Sequence, residues 1–140
     1  MSTLITEDNY FDHDADIGII GRGYSLEECF VNAAQAVFAL MTDLSAVRSV
    51  ESVAFEFIEA DIELAFVTWL NLLIAKSNAD NLIFSQFKIT RKNNEWHCQA
   101  AGEKWNDTFE RGIDVKGATL TMLSIKQNLG FWEGRCVVDV

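Results

Sequence analysis

The spacing of apolar residues changes partway along the 140-residue chain. In the first half, two segments repeat their apolar residues with a helical period, whereas from Leu82 onwards apolar and polar residues alternate as they do in strands. Consecutive strands joined by hairpins exclude a doubly wound parallel sheet, which needs a crossover between neighbouring strands. The order predicts an α+β fold in which two amphipathic helices pack on one face of a mainly antiparallel sheet. We expect residues 1–140 to form a single domain.

Both predicted helices begin at a residue with a short polar side chain. Ser25 is followed three residues later by Glu28, a capping box that predicts a helix over 25–42. Asp61 is the predicted N-cap of a second helix over 61–77. The apolar face of the first helix consists of Phe30, Ala33, Ala34, Val37, Phe38 and Met41, and that of the second includes Ile62, Phe66, Leu70 and Leu73.

Asparagine marks several predicted turns, because Asn tolerates a positive φ better than most residues. Asn78 is the predicted left-handed exit from the second helix. Asn93 and Asn94 lie between two alternating segments and predict a two-residue hairpin turn. Residues 128–130 predict another hairpin. The predicted strands cover 17–20, 53–58, 83–91, 95–103, 118–126 and 131–138, with a less regular stretch at 104–116.

The chain is strongly acidic, with 21 acidic and 11 basic residues and a formal net charge of -10. This charge repels nucleic-acid phosphates, so direct high-affinity binding to nucleic acid is not expected. A basic protein surface or a cation is the expected partner. We expect no membrane span and no signal peptide, and therefore a cytoplasmic location, because the sequence has neither a run of about 18 apolar residues nor a basic leader.

The three cysteines are far apart in the sequence, at Cys29, Cys98 and Cys136. No C-x-x-C pair is present, so neither a zinc ribbon nor a thioredoxin-like site is indicated. We therefore expect free, buried thiols rather than redox-active cysteines.

The densest group of polar side chains comprises Asp12, His13, Asp14 and Asp16. Carboxylates this close repel one another unless water screens them or a cation neutralises them. Their oxygen atoms suit a hard divalent cation, although the pattern is not that of an EF-hand. Taken alone, the cluster leaves both interpretations open and favours a solvated acidic turn.

The end of the sequence adds further oxygen ligands. Asp139 precedes Val140, whose main-chain carboxylate is a hard ligand, and the apolar residues before them predict a strand. If that strand lies beside the first one, Asp139 and Val140 can meet Asp16. The sequence does not establish that the two strands are neighbours.

No serine, cysteine or threonine has a recognisable base and orienting acid, so the chain is not expected to be an enzyme. A metal-dependent hydrolase remains an alternative hypothesis. It would use Asp12, Asp16 and Asp139 around a metal, with His13 as the general base. His97 is interpreted as a surface histidine.

The acidic cluster is part of a longer pattern, Asp12-His-Asp-Ala-Asp-Ile-Gly18, followed by two glycines and Ser25-Leu-Glu-Glu-Cys-Phe30. Asp114-Val-Lys-Gly-Ala-Thr119 and the final Asp139-Val140 complete it. In this order and over nearly the whole chain, these motifs resemble those of the archease family.

The resemblance implies an α+β fold with a divalent-cation site. Its ligands would be Asp16, Asp139 and the terminal carboxylate of Val140, with Asp12, His13 and Asp14 around them as supporting residues. Calcium is the first candidate for the cation, and magnesium and manganese are alternatives.

The resemblance also implies a partner and a role. The partner is a GTP-dependent RtcB-type RNA ligase, which joins RNA ends in tRNA splicing and RNA repair. The role is that of a non-catalytic activator, which promotes guanylylation of the ligase and its multiple turnover. A chaperone-like action on a tRNA methyltransferase is the alternative that the resemblance implies.

Some positions depart from the family pattern. Asp14 stands where the family usually has Thr, Leu120-Thr121 replaces a Tyr-His pair, and residues 104–113 lack the usual loop motif. We expect these changes to affect contacts with the partner more than the fold or the cation site.

Overall fold

Two helices and two antiparallel sheets make up the structure, a computed structural model that describes residues 5–140. The α+β class and the antiparallel pairing are confirmed, with the difference that the strands divide between two sheets. The helices are α1 (Leu26–Ala39) and α2 (Ile62–Asp80). The strands are β1 (Tyr10–His13), β2 (Asp16–Gly23), β3 (Glu51–Ile58), β4 (Leu82–Lys92), β5 (Glu95–Lys104), β6 (Gly117–Ala118), β7 (Ser124–Asn128) and β8 (Phe131–Asp139).

The first and last long strands are neighbours. The five-stranded sheet has the order β1-β2-β8-β6, and β7 also pairs with β8. The three-stranded sheet has the order β3-β5-β4, so β3 and β4 are its edge strands. The arrangement of the five-stranded sheet brings the start of β2 and the end of β8 together.

Each helix packs against both sheets, rather than lying on one face of a single sheet. α1 contacts β2 and β8 of the five-stranded sheet and β4 of the three-stranded sheet, and α2 contacts β4 to β7. At Gly21 the backbone of α1 approaches β2 so closely that a Cβ atom would lie 2.4 Å from the carbonyl oxygen of Cys29. The buried surface of α1 is therefore wider than a single apolar stripe. Its buried residues are Leu26, Cys29, Phe30, Asn32, Ala33, Ala34, Ala36, Val37 and Phe38.

The predicted starts of both helices are confirmed. The N–H of Glu28 donates to Ser25 Oγ over 3.0 Å. Asp61 Oδ1 accepts hydrogen bonds from the N–H groups of Glu63 and Leu64, over 2.8 and 3.2 Å. Each cap satisfies backbone donors that have no partner within the helix.

The predicted helix ends were less accurate. α1 ends at Ala39, where residues 40–42 form a turn. α2 continues to Asp80, and the left-handed residue is Asn81, with φ 53°, rather than Asn78. The prediction for Asn78 was wrong because Ser77 and Asn78 still fit the helix, and two asparagines three residues apart are equivalent as local signals.

One strand was missed, and one was predicted with the wrong extent. β1 was not predicted, because its four residues are too few to show a clear alternation. The strand predicted over 118–126 is instead the short β6, an irregular segment over 119–123 and then β7. Both hairpin turns are confirmed, with positive φ at Asn93, Leu129 and Gly130.

One hydrophobic core joins the helices to both sheets. Phe30 of α1 stacks on Trp96 of β5 with 5.1 Å between ring centroids, and the indole N–H of Trp69 donates to the carbonyl of Phe30 over 2.8 Å. The expectation for the cysteines is confirmed, since all three are free and buried. No helix among residues 5–140 combines the length and apolar character needed to cross a bilayer.

Candidate functional site

The acidic cluster near the start of the chain forms a tight hairpin. Asp12 and His13 end β1, Asp16 begins β2, and the register places His13 opposite Asp16. Asp14 occupies the turn in a left-handed conformation with φ 52°, which Asp adopts more readily than most residues. Asp12 and Asp14 are exposed, while His13 and Asp16 are half-buried.

The end of the chain lies beside this hairpin. β2 and β8 are antiparallel neighbours, and Ile17 is opposite Val138. The next residues of the two strands are Asp16 and Asp139, and continuing the register by one step puts them opposite each other. Residues directly opposite each other share one face of a sheet, with Cβ atoms about 4.5–5.5 Å apart. The adjacency that the sequence could not establish is therefore present.

A hydrogen bond ties the last residue to the hairpin. The N–H of Val140 donates to Asp16 Oδ1 over 3.3 Å. On the other side of β8, the N–H of Lys116 donates to the carbonyl of Asp139 over 2.8 Å. Three segments therefore converge at one end of the five-stranded sheet. We call Asp12–Asp16 together with Asp139 and Val140 the acidic tip.

The acidic tip contains little positive charge to balance its carboxylates. His13 Nδ1 lies 3.8 Å from Asp14 Oδ2, a pair that is charged only when the imidazole is protonated. Within residues 5–140, no lysine or arginine side chain forms an ion pair with Asp12, Asp16 or Asp139. Elsewhere in the described residues, only Glu103 and Glu133 form ion pairs with arginine.

The donor atoms of the tip suit a hard cation, since they are carboxylate oxygens of Asp16, Asp139 and the end of the chain. In the described part of the chain, no three histidine, cysteine, aspartate or glutamate side chains form a group that could hold a metal ion. A cation bound here would therefore need the Val140 carboxylate or water oxygens to complete its coordination.

Two acids elsewhere are already paired. Glu133 accepts hydrogen bonds from Arg135 over 2.6 Å and from Arg22 over 3.0 Å, and these bonds hold the pKa of its carboxyl below the usual value. Glu103 accepts from the backbone N–H of Arg48 over 2.6 Å, which likewise lowers its pKa. Both carboxylates therefore tie neighbouring segments of the fold together.

The cysteine thiols are not candidates for nucleophilic chemistry. Burial raises the pKa of Cys29, Cys98 and Cys136 to about 12, so almost none of the reactive thiolate exists at neutral pH.

The sequence did not reveal one polar pair on the three-stranded sheet. His97 Nδ1 lies 3.2 Å from Glu56 Oε1, in a shallow concavity on the outer face of the sheet. The pair forms because the register of β3 and β5 puts the two residues opposite each other. The alternation of each strand indicates that both side chains point outwards. It does not indicate the register that puts them opposite each other.

Comparison with known proteins identifies relatives across nearly the whole chain. Residues 9–140 match the model of the Archease protein family (MTH1598/TM1083). The chain is 40% identical over 139 residues to Protein archease of Sulfolobus acidocaldarius, which covers 97% of this chain and 100% of that protein. It is 34% identical to Protein archease of Methanothermobacter thermautotrophicus, covering 94% of this chain and 96% of that protein.

Solved structures agree with this relationship. The solution structure of Methanobacterium thermoautotrophicum protein 1598 matches with a TM-score of 0.80 and 32% identity, covering 94% of this chain and 97% of that one. The crystal structure of an archease from Thermotoga maritima, described as a possible chaperone, matches with a TM-score of 0.65 over 100% of both chains. At 19% identity the second match shows the fold alone. This chain therefore belongs to the archease family.

Proposed function

We propose that this protein activates a GTP-dependent RtcB-type RNA ligase through its acidic tip and catalyses no reaction itself. The observation that carries the proposal is the convergence of Asp16 and Asp139 at neighbouring strand ends, with Val140 hydrogen-bonded to Asp16. Membership of the archease family supports the choice of partner, because the motifs that resemble the family include both aspartates.

In this proposal Asp16, Asp139 and the carboxylate of Val140 hold one divalent cation, with calcium as the first candidate and magnesium or manganese as alternatives. Carboxylates on opposing positions of adjacent strands repel each other, and a shared cation removes that cost. Calcium–oxygen distances of about 2.3–2.6 Å are compatible with ligands on adjacent strands. When bound, the cation would supply positive charge that stabilises phosphate oxygens during guanylyl transfer.

The protein's own residues would present and steer the tip. Asp14 projects from a hairpin turn, and β1 and β6 flank the two strands that carry Asp16 and Asp139. A net charge of -10 would direct this surface towards a basic nucleotide site on the ligase. Such steering accelerates encounter and weakens as salt is added.

The covalent chemistry would remain with the ligase, whose nucleophile takes the guanylyl group from GTP and releases pyrophosphate. Buried thiols with a raised pKa support a non-catalytic role for this chain, because they cannot attack a phosphate. The acidic tip would position the reacting groups rather than form a bond with them.

The test is multiple-turnover ligation of RNA by the cognate ligase, with and without this protein. The wild-type protein should increase the number of turnovers. Asp16→Asn and Asp139→Asn should each reduce that stimulation at least about tenfold. Glu95→Gln is the matched control, because Glu95 is exposed and lies on the other sheet. Equal stimulation by the wild type and both tip variants would contradict the proposal.

The same samples separate the alternatives. A metal-dependent hydrolase built on Asp12, His13, Asp16 and Asp139 would release product from a phosphate ester without any ligase. A chaperone-like protein, as the T. maritima relative is described, would raise the yield of active tRNA methyltransferase in a manner independent of the tip carboxylates.

A further inference from the structure

β3 forms an open edge of the three-stranded sheet. Along this edge, the backbone N–H and C=O groups of every second residue have no described strand to pair with. β3 pairs with β5 and, among the described strands, with no other. The N–H of Glu59 donates to the carbonyl of Asn94 over 2.9 Å, a bond in register with the pairs of β3 and β5. Counting from Glu59 towards the start of β3, every second residue therefore forms its backbone hydrogen bonds with β5. The backbone groups of the intervening residues point away from the sheet: Ser52, Ala54, Glu56 and Ile58.

No segment of residues 5–140 supplies partners for these outward groups, since the hydrogen bonds outside helices and sheet ladders involve other residues. Proteins usually protect such an edge with a proline, a lysine, a bulge or a covering loop. β3 carries the charges of Glu51 and Glu56, but its eight residues, ESVAFEFI, contain no proline or lysine, and their register with β5 is unbroken. The edge is therefore competent to pair with another strand.

The inward side chains of β3 also lack a full cover. Val53, Phe55 and Phe57 face the helix layer but are only half-buried. Phe55 is stacked on Trp69 with 6.2 Å between ring centroids, and Lys76 Nζ lies 5.9 Å from the Phe55 ring. A strand added beside β3 would place every second side chain against these rings. Apolar residues at those positions would bury them further.

The outward side chains indicate the charge of the partner. On the outer face of β3, Glu56 is exposed, Ser52 and Ala54 are small, and Ile58 is 76% exposed at the end of the strand. The side chain of an added strand opposite Glu56 would meet a carboxylate, and those opposite Ser52 and Ala54 would meet open space. Lysine or arginine suits those positions.

We propose that the β3 edge binds an extended segment of a partner protein in which apolar residues alternate with basic ones. The segment adds a fourth strand to the three-stranded sheet, with its basic side chains on the outer face. The site lies on a different sheet from the acidic tip, so it extends the proposed function without depending on it.

A second copy of this chain fits the edge less well. Two copies would each bring a net charge of -10, and pairing β3 with β3 would juxtapose acidic edges. Pairing β3 with β4, which carries Lys88 and Lys92, would leave one acidic and one basic edge unpaired at the ends of the assembly. Such a contact propagates into a filament unless it closes into a ring. A partner segment closes the edge in one step.

Amide hydrogen exchange of the free protein tests the geometry of the edge. The amides of Ser52, Ala54 and Glu56 should exchange at least about tenfold faster than those of Phe55 and Phe57, because only the latter are bonded to β5. Uniform protection along β3 would show that the edge is already paired and would overturn the proposal.

Binding is tested with a blocked eight-residue peptide of alternating lysine and valine. The peptide should protect the amides of Ser52, Ala54 and Glu56 from exchange. Methylation of the lysine backbone nitrogens should raise the dissociation constant at least about tenfold, because those nitrogens face β3. Methylation of the valine backbone nitrogens should leave the dissociation constant unchanged. Equal binding by the two methylated peptides, or no binding of the parent at millimolar concentration, would contradict the proposal.

Protein variants provide the matched controls. Ala54→Pro removes an outward N–H while leaving the bonds to β5, and Glu56→Lys reverses a charge at the edge. Both should weaken peptide binding at least about tenfold, and Glu7→Lys, with the same charge change beside the other sheet, should not. If Ala54→Pro fails to fold, Glu56→Lys decides the result. A concentration-dependent dimer abolished by Glu56→Lys would assign the edge to a second copy and overturn the partner proposal.

Discussion

Asp16 accepts a hydrogen bond from the N–H of Val140 and lies one residue beyond Ile17, whose partner Val138 directly precedes Asp139. We predict that Asp16→Asn weakens calcium binding at least about tenfold, because a neutral amide is a poorer ligand than a carboxylate and leaves less charge for the cation to neutralise. Isothermal titration with calcium measures this, with Glu95→Gln as the control. Equal affinities of the variant and the wild type would exclude Asp16 as a ligand.

The cysteines provide a second prediction about single residues. Cys29, Cys98 and Cys136 are at most 2% exposed, and burial raises the pKa of each thiol to about 12. A thiol reagent at pH 8 should therefore label none of the three quickly in the native protein and all three in denaturant. Rapid labelling of one thiol under native conditions would show that its surroundings are open.

Glu133 predicts a dependence of stability on pH. Its pKa is lowered in the folded state, so its contribution is present above the unfolded value, near 4.5, and is lost as the pH falls below it. Between neutral and acidic pH, the free energy of unfolding of Glu133→Gln should fall by about 0.5–1 kcal/mol less than that of the wild type. The difference is small because the ion pairs are part-exposed. Urea unfolding at pH 7 and pH 3.5 compares the two proteins. The same acid loss in both would show that the arginine pairs contribute nothing.

At the scale of elements, the close contact between α1 and β2 is the most sensitive. Gly21→Val should destabilise the protein by about 1–3 kcal/mol, because its side chain would displace the backbone of α1 at Cys29 and Ala33. Thermal unfolding monitored by circular dichroism measures the loss. Glu95→Val, a substitution to the same residue at an exposed strand position, is the control. An unchanged melting temperature for Gly21→Val would mean that α1 can move away at no cost.

The elements that could be predicted are those with strong local signals. Ser25 and Asp61 identified the helix starts, and Asn93 identified a hairpin, because caps and turns depend on a few adjacent residues. The segment 119–123 was misassigned as strand because Thr119 and Thr121 bond to Val137 without forming a regular ladder. The division into two sheets was not predictable, since strand partners are set by packing across the whole chain.

The candidate site shows the same limit. The acidic residues of the hairpin were visible as a cluster, and Asp139 was visible at the chain end. Their meeting depends on β2 and β8 being neighbours, although more than 100 positions separate Asp16 from Asp139 in the sequence. Glu56 and His97 likewise meet through strand register alone. Local patterns supplied the residues, and long-range pairing supplied the site.

On the scale of the whole molecule, the two sheets present different surfaces. The five-stranded sheet carries the acidic tip at one end, and the three-stranded sheet carries the open β3 edge. The helices lie against both sheets, so the two surfaces are joined through one core. The arrangement suits a protein that contacts a partner at more than one place, which would raise the effective affinity of each contact.

Guanylylation of the RtcB-type ligase by GTP, measured in the presence of the wild-type protein and of Asp139→Asn, tests the proposed activation. Asp139 is exposed, so its substitution should leave the fold intact, as circular dichroism can verify. We predict that the wild type increases the initial rate of guanylylation. The increase produced by Asp139→Asn should be at least about tenfold smaller. A folded Asp139→Asn protein that stimulates guanylylation as well as the wild type would contradict the central role of the acidic tip.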